Sequence, residues 1–198
     1  MAKKFRRVVP DNIKIEDLSP LNITCGATKC NENLHCFSLK QTALKRFGKT
    51  HVCTECGQNL IDWNRMHKND ILDANYIFQS LRFELIRHVF WHTKIEEKAL
   101  QNAKKKGRNN LRHHVLQVLK SKVGKNNFFD GRQTPLGGVD IVNYAQHATG
   151  SCCRKCMETW HNIPKQDNLN EEQLTFFTDL IMLYINERVP GLTDDPQD

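Results

Sequence analysis

The sequence predicts a mainly α-helical protein with a small zinc-ribbon-like β module near its N-terminus and an irregular, glycine-rich loop before a second Cys/His cluster. Five of the eight cysteines lie between residues 25 and 56, in a stretch without periodic apolar residues. From residue 69 onward, apolar residues instead recur at the three-to-five-residue spacing of a helix face. The 198 residues therefore divide into a flexible basic tail (1–20), the zinc-ribbon-like module (21–66), a helical domain (67–190) and an acidic tail (191–198).

The composition argues against several classes of protein. Hydrophobic residues make up 39% and charged residues 26% of the chain, a balance that allows a hydrophobic core and disfavours wholesale disorder. No apolar run approaches the roughly 20 residues that span a bilayer. The basic N-terminus lacks the apolar stretch of a secretory signal. We therefore expect a cytoplasmic protein without membrane contact, where closely spaced cysteines bind metal more often than they form disulfides.

The first cysteine group predicts one structural zinc site. Cys53 and Cys56 are two residues apart and precede Gly57, a spacing typical of a zinc knuckle. Cys25 and Cys30 can supply the second pair of a tetrahedron. The substitutes for one of these ligands are Cys36, His35 and His51. Because so short a segment cannot bury a large core, zinc would replace the missing core and stabilise the fold rather than catalyse a reaction.

Capping and stop signals place the helices of the second part. Asn69 or Asp70 can cap the first helix, and Thr93 with Glu96 can form the capping box of a second that ends at Gly107. A third helix is expected over 110–123 and a short strand over 139–142. Two more helices are expected, one from Ser151 to before Pro164 and one from Asn170, with Gln173 completing a capping box, to Pro190.

The second cysteine group admits three interpretations. Its ligand-capable residues are His147, Cys152, Cys153, Cys156 and His161. On a helix, Cys152 or Cys153 shares a face with Cys156, as a second zinc or other soft-metal site requires. A helix N-terminus also lowers the pKa of a thiol, which suits a thiolate active site without metal. Plain buried cysteines are the third interpretation. A zinc deaminase is disfavoured, because the chain lacks the His-x-Glu motif of that class.

A basic segment predicts contact with DNA or RNA. Between residues 98 and 125 the chain has nine Lys or Arg residues and no acid, whereas eight acids follow residue 166. The residues expected to bind phosphate are Lys104, Lys105, Lys106, Arg108, Arg112, Lys120 and Lys122, with Arg132 from the glycine-rich loop. Clustered cations release counterions from nucleic acid, so binding should depend steeply on salt. The alternative is a solvated helix end, where cations meet the helix dipole.

Three stretches resemble an uncharacterised domain family of bacteria and archaea. They are Asp130-Gly-Arg-Gln-Thr-Pro135, then Gln146-His-Ala-Thr-Gly-Ser-Cys-Cys-Arg-Lys-Cys156, then Trp160-His-Asn-Ile-Pro-Lys165. The hallmark of that family reads roughly DGKQTP followed by QHATATCCRxCLxxWHxIPKG. The resemblance covers about residues 80–188 and departs from the hallmark at Gly150-Ser151 and Gln166. It implies that these residues act together, without indicating an activity, and that the N-terminal cysteine segment is an addition to the domain.

The leading hypothesis is a zinc-binding protein that engages nucleic acid through a basic helical surface, with one zinc ion at the first cysteine group and the second group as a candidate site for another. The first alternative is a nucleic-acid- or nucleotide-processing enzyme whose active site combines Gln133, Thr134 and His147 with the second cysteine group. The second alternative is a metal-braced module that binds another protein, as in a phage or anti-phage system. The sequence leaves open whether the protein is catalytic and whether it prefers DNA or RNA.

Overall fold

The computed structural model describes residues 8–126 and 133–197, and these are mainly helical. Eight α-helices lie in the described ranges: α1 Lys40–Phe47, α2 Trp63–Met66, α3 Ala74–Arg82, α4 Leu85–His92, α5 Glu97–Lys122, α6 Ile141–Ala148, α7 Arg154–His161 and α8 Glu171–Arg188. Three short 3₁₀ turns accompany them at Ile15–Asp17, Cys30–Glu32 and Ile71–Asp73.

The predicted zinc-ribbon β module is not present in the described residues. Strand pairing between them is limited to three isolated bridges, Val8 with Thr28, Lys29 with Leu34 and His35 with Glu84. Within this module, the backbone N–H groups of Phe37 and Ser38 donate to the Glu84 carboxylate and not to a neighbouring strand. Residues 21–66 instead contain the helices α1 and α2, linked by turns.

The apolar pattern that begins at residue 69 forms two helices rather than one. Glu84 interrupts it with an extended backbone (φ −88°, ψ 124°) and starts α4. The capping box at Asn170 and Gln173 is confirmed, with backbone-to-side-chain bonds of 2.8 and 3.1 Å. The expected strand over 139–142 is wrong, because the Asp140 side chain accepts from the N–H of Val142 and starts α6 there.

Gly107 kinks α5 instead of ending it. Its φ of 69° breaks the helical geometry and frees backbone groups on both sides. The C-terminal segment binds these groups: the N–H of Arg108 donates to the carbonyl of Thr193 at 2.8 Å, and the N–H of Gln197 donates to that of Lys104 at 3.1 Å. The predicted acidic tail thus lies against the basic helix.

One continuous hydrophobic core extends from Val9 to Leu192. Helix α5 packs on α8 and α6, and α4 packs on α6. The N-terminal segment joins this core through Phe37, whose ring meets Trp63 and Trp160 edge-on at 5.8 and 5.7 Å. No helix in the described parts of the chain is long and apolar enough to cross a membrane.

Candidate metal centres and the buried ion pair between them

The first cluster comprises Cys30, His35, Cys53 and Cys56. One ligand atom from each of these residues lies within 4.8 Å of the others. The sulfurs of Cys30 and Cys53 are 3.8 Å apart, and the Cys56 sulfur lies 3.4 Å from Nδ1 of His35. Three thiols and one imidazole are a common donor set of closed, tetrahedral zinc sites. This cluster can therefore hold a metal ion.

Local backbone geometry builds this cluster. The N–H of Gly57 donates to the Cys53 carbonyl at 3.0 Å in a turn that gives Gly57 a φ of 77°. The N–H of Glu55 points at the Cys53 sulfur at 3.4 Å, as expected of a zinc knuckle. Nε2 of His35 lies 3.1 Å from the side-chain oxygen of Asn33, which leaves Nδ1 facing the thiols.

The fourth member of the first cluster is His35 and not Cys25, which the sequence predicted as a ligand. The bond from the His35 N–H to the Phe83 carbonyl, at 2.7 Å, anchors His35 to the start of the helical domain. Cys25 lies outside this group of four. The other two substitutes, Cys36 and His51, also lie outside it: the Cys36 thiol donates to the Cys25 carbonyl at 3.3 Å, and His51 packs on Trp63.

The thiols of the first cluster titrate very differently from one another. Burial opposes ionisation of Cys53, but hydrogen bonds from His35 and from backbone N–H groups lower its pKa to about 6. Burial and the neighbouring Cys53 raise the pKa of Cys30 well above its usual value. The protein alone therefore stabilises one thiolate here, and a divalent cation would supply the charge needed to ionise the others.

The second cluster comprises Cys152, Cys153 and Cys156, whose sulfurs lie within 4.8 Å of one another. All three residues are buried. Cys152 and Cys153 immediately precede α7, and Cys156 lies in its first turn. Three converging thiols suit a soft metal ion, so this cluster too can hold one.

A fully buried arginine faces these thiols. The guanidinium of Arg87, from α4, donates to the Cys156 sulfur at 2.9 Å and to the Cys152 sulfur at 3.5 Å. Hydrogen bonds from Cys152 and Cys153, together with the charge of Arg87, hold the pKa of Cys156 well below its usual value despite burial. Hydrogen bonds with Cys153 and Cys156, together with burial, raise the pKa of the Cys152 thiol instead, so the protein alone stabilises one thiolate here, and a metal ion would be needed to ionise the others.

Glu84 connects this arginine to the segment beside the first cluster. Its Oε2 lies 3.2 Å from Nε of Arg87 and accepts from the Trp160 indole at 3.0 Å. Its Oε1 accepts from the N–H groups of Phe37 and Ser38 and from the Ser38 hydroxyl, at 3.0, 3.2 and 2.6 Å. Glu84 and Arg87 have no exposed side-chain surface. A buried ion pair therefore lies between the two clusters.

This ion pair was not predicted from the sequence, although the spacing of its two residues is a local signal for it. Glu84 and Arg87 are three residues apart at the start of α4, where they are surrounded in sequence by the apolar residues Phe83, Leu85, Ile86 and Val89. Such a pattern indicates a pair of charges that neutralise each other in the core.

The two histidines proposed as ligands lie outside the second cluster. His161 is fully buried and has partners at both nitrogens, the Asn69 side chain at 3.0 Å and the Thr149 carbonyl at 2.9 Å. Nε2 of His147 lies 3.2 and 3.1 Å from the carbonyls of Thr134 and Pro135, and its ring stacks on Phe90. The contacts of His161 favour a role in packing, whereas Nδ1 of His147 is buried without a hydrogen-bond partner in the described residues.

The other residues proposed for an enzyme are also engaged within the protein. The Thr134 hydroxyl is buried between the Gln146 side chain, at 3.1 Å, and the Cys152 carbonyl, at 2.9 Å. Gln133 accepts from the N–H of Arg154 at the start of α7. This network shapes the chain that precedes the second cluster.

The basic segment is partly neutralised by the acidic C-terminal region. Arg108 pairs with Asp194, Arg112 with Asp179 at 2.5 Å, and Lys120 with Glu171 at 3.4 Å. The remaining six cations have no ion pair with any described residue: Lys98, Lys104, Lys105, Lys106, Lys122 and Lys125. Arg132 lies outside the described residues.

Comparison with known proteins identifies one family. A family model described as "Domain of unknown function (DUF4186)" matches residues 75–186, more than half of the chain. No solved structure matches the chain. The matched range begins in α3 and ends in α8, so it contains Arg87 and the second cluster, while the first cluster precedes it.

Proposed function

Because the chain belongs to the DUF4186 family, whose description assigns no activity, we propose a function from its own residues. The protein is a helical scaffold braced by two zinc ions, and it binds nucleic acid through exposed lysines of α5. The observation that carries this proposal is the group of six cations between residues 98 and 125 that lack an acidic partner in the described chain.

Zinc is the metal that the donor sets favour. Thiolate and imidazole ligands suit a borderline-soft cation, and both clusters consist of these ligands alone. Neither cluster contains a carboxylate, the ligand that magnesium or calcium would require. The zinc ions would be structural, since the first cluster already has four protein ligands and the second is buried.

The lysines differ in kind from the arginines of the same helix. Lys105 and Lys106 are exposed, and with Lys104 they directly precede the kink at Gly107. Arg108 and Arg112 are held by acids of the C-terminal region and contribute little net charge. Phosphate binding should therefore depend on the lysines, because an unpaired cation can replace condensed counterions on a nucleic acid.

The test compares two variants of the zinc-loaded protein. In the first, Lys104, Lys105 and Lys106 are all changed to Gln, and in the second only Arg112 is changed to Gln. Affinity for a labelled DNA duplex and for single-stranded RNA is measured by anisotropy over a range of salt concentrations. The triple change should reduce the slope of log affinity against log salt by roughly one for each lysine that contacts phosphate.

The Arg112 variant is the matched control and should keep nearly the wild-type slope, because its cation is already paired with Asp179. Equal slopes for the wild type and the triple variant would contradict the proposal. The proposal would also be contradicted if the protein captured another protein at high salt and showed no binding to nucleic acid. That result would indicate a protein-interaction module. Cleaved or modified nucleic acid after incubation would indicate an enzyme.

A further inference from the structure

Three thiols of the second cluster leave one ligand position to be filled. A closed zinc site has four ligands, and His161 is excluded because both of its nitrogens have partners. His147 keeps a buried Nδ1 without a hydrogen-bond partner in the described residues, but its ring is held by Nε2 against two backbone carbonyls and lies outside the cluster. Cys25 is the only cysteine besides Cys36 that belongs to neither cluster of the described residues. Its position therefore decides how the second site is completed.

A series of contacts links the loop that holds Cys25 to α7. The carbonyl of Cys25 accepts from the Cys36 thiol at 3.3 Å, and a Cβ on Gly26 would lie 3.1 Å from the Leu39 side chain. The segment from Cys36 to Lys40 in turn lies on α7, where Nζ of Lys40 donates to the Glu158 carbonyl at 3.1 Å. The same segment bonds to Glu84, which pairs with Arg87, the donor to the Cys156 sulfur. The loop that holds Cys25 is thus linked through this segment both to α7 and to the ion pair beside the second cluster.

The electrostatic surroundings of Cys25 agree with this placement. Cys25 is an exposed residue and lies outside the first cluster. The charged groups that act on it are Cys156, Arg87, Glu84 and Lys155. All of them belong to the second cluster, to the ion pair beside it or to α7, and none belongs to the first cluster.

We propose that Cys25 is the fourth ligand of the second cluster, which completes a zinc site of four thiolates from Cys25, Cys152, Cys153 and Cys156. This inference rests on the proposed second zinc site and adds its missing ligand. Cys25 lies outside the set of sulfurs within 4.8 Å of one another, so zinc would draw its exposed loop inward.

Such a site explains the buried arginine. Zinc with four thiolates is a dianionic unit, and burying it requires a cation and hydrogen bonds to the sulfurs. Arg87 supplies hydrogen bonds to two of the sulfurs, Cys152 and Cys156, and a positive charge that it shares between these sulfurs and Glu84. The site would also join a ligand from the N-terminal segment, which precedes the family match, to three ligands inside it.

The experiment counts zinc ions on the full-length protein after dialysis against a competing chelator, with helix content followed by circular dichroism. The wild type should keep about two zinc ions per chain, one for each cluster. Cys25→Ser should keep about one, and so should Cys30→Ser and Cys156→Ser. Cys36→Ser is the matched control, because this buried thiol lies beside Cys25 but belongs to neither cluster, and it should keep about two.

Double variants assign the ligand to its site. Cys25→Ser with Cys156→Ser should still keep about one ion, whereas Cys25→Ser with Cys30→Ser should keep almost none. If the second double variant keeps one ion, Cys25 serves the first cluster and the proposal is overturned. A Cys25→Ser protein that keeps both ions overturns it as well.

Two further measurements keep the test decisive. If Cys25→Ser fails to fold, Cys25→His is used instead. X-ray absorption of its cobalt-loaded form should show one sulfur ligand fewer at the second site than in the wild type. An unchanged number of sulfur ligands would overturn the proposal. If Cys156→Ser keeps as many ions as the wild type, the second zinc site itself is absent. That result refutes the zinc part of the proposed function, and the assignment of Cys25 with it.

Discussion

Replacing Glu84 by Gln should destabilise the protein more than any surface change of the same kind. Gln is nearly isosteric and keeps one oxygen, which can still accept the three bonds from Phe37 and Ser38. Its amide nitrogen, however, must replace the oxygen that faces Arg87 and the Trp160 indole. Both of these neighbours are donors, so a donor would meet two donors in the core.

The magnitude follows from burial. Both members of the Glu84–Arg87 pair are fully buried, and removing one partner of such a pair costs about 3–5 kcal/mol. The thiols near Arg87 compensate part of the lost charge, so we expect a loss at the lower end, about 3 kcal/mol. For a domain with a total stability of about 5–15 kcal/mol, that is a large fraction.

The assay is urea unfolding of the zinc-saturated protein followed by circular dichroism. The midpoint should fall while the slope stays constant, which indicates a change in stability rather than in the denatured state. The control is Glu187→Gln, which breaks the partly exposed Arg82–Glu187 pair (3.2 Å) and should cost between about 0 and 1 kcal/mol. If both variants lose the same free energy of unfolding, the buried pair stabilises the fold no more than an exposed one.

Three other predictions concern single elements. Gly107→Ala should lower the free energy of unfolding in urea by several kcal/mol, because a Cβ would lie 2.4 Å from the backbone of Asp195. The control is Gly48→Ala, which has a similar φ but open space around the Cβ and should cost only about 1–2 kcal/mol. Equal costs would contradict the role of the C-terminal segment. Burial lowers the pKa of His161 from 6.5 to about 4, so the neutral form is favoured in the folded protein and stability should fall as pH drops from about 6.5 to 4, by up to about 3 kcal/mol. Stability measured across this range should depend less on pH in His161→Gln, and an unchanged dependence would refute the assignment. Asn170→Ala should lower the unfolding midpoint by the equivalent of about 1 kcal/mol through loss of the capping box, and no change would show that the cap is dispensable.

Local signals in the sequence predicted several elements correctly. The capping box at Asn170 and Gln173 depends on residues three apart, and such short-range contacts form wherever the chain is helical. The helical class follows from the period of the apolar residues. Gly107 marks a real break, but the chain resumes its helix because the C-terminal segment binds the backbone groups that the break frees.

Long-range contacts decided what the sequence could not. In the described part of the N-terminal module, strand pairing is limited to isolated bridges, and the N–H groups of Phe37 and Ser38 bond to Glu84, a residue outside the module. Arg108 is neutralised by Asp194, 86 positions along the chain, so a count of cations overstated the charge available for phosphate.

By itself, the sequence determined that this protein is helical, that its cysteines form two groups and that its charge is polarised, because composition, period and spacing are local properties. Only the tertiary structure decided that His35 joins Cys30, Cys53 and Cys56, and that a buried arginine faces the second group. The physical reason is that a ligand set is fixed by the directions in which packed segments point their side chains. Cysteines that are close in sequence can thereby differ in position: Cys30 belongs to the first cluster, whereas Cys25 lies outside it.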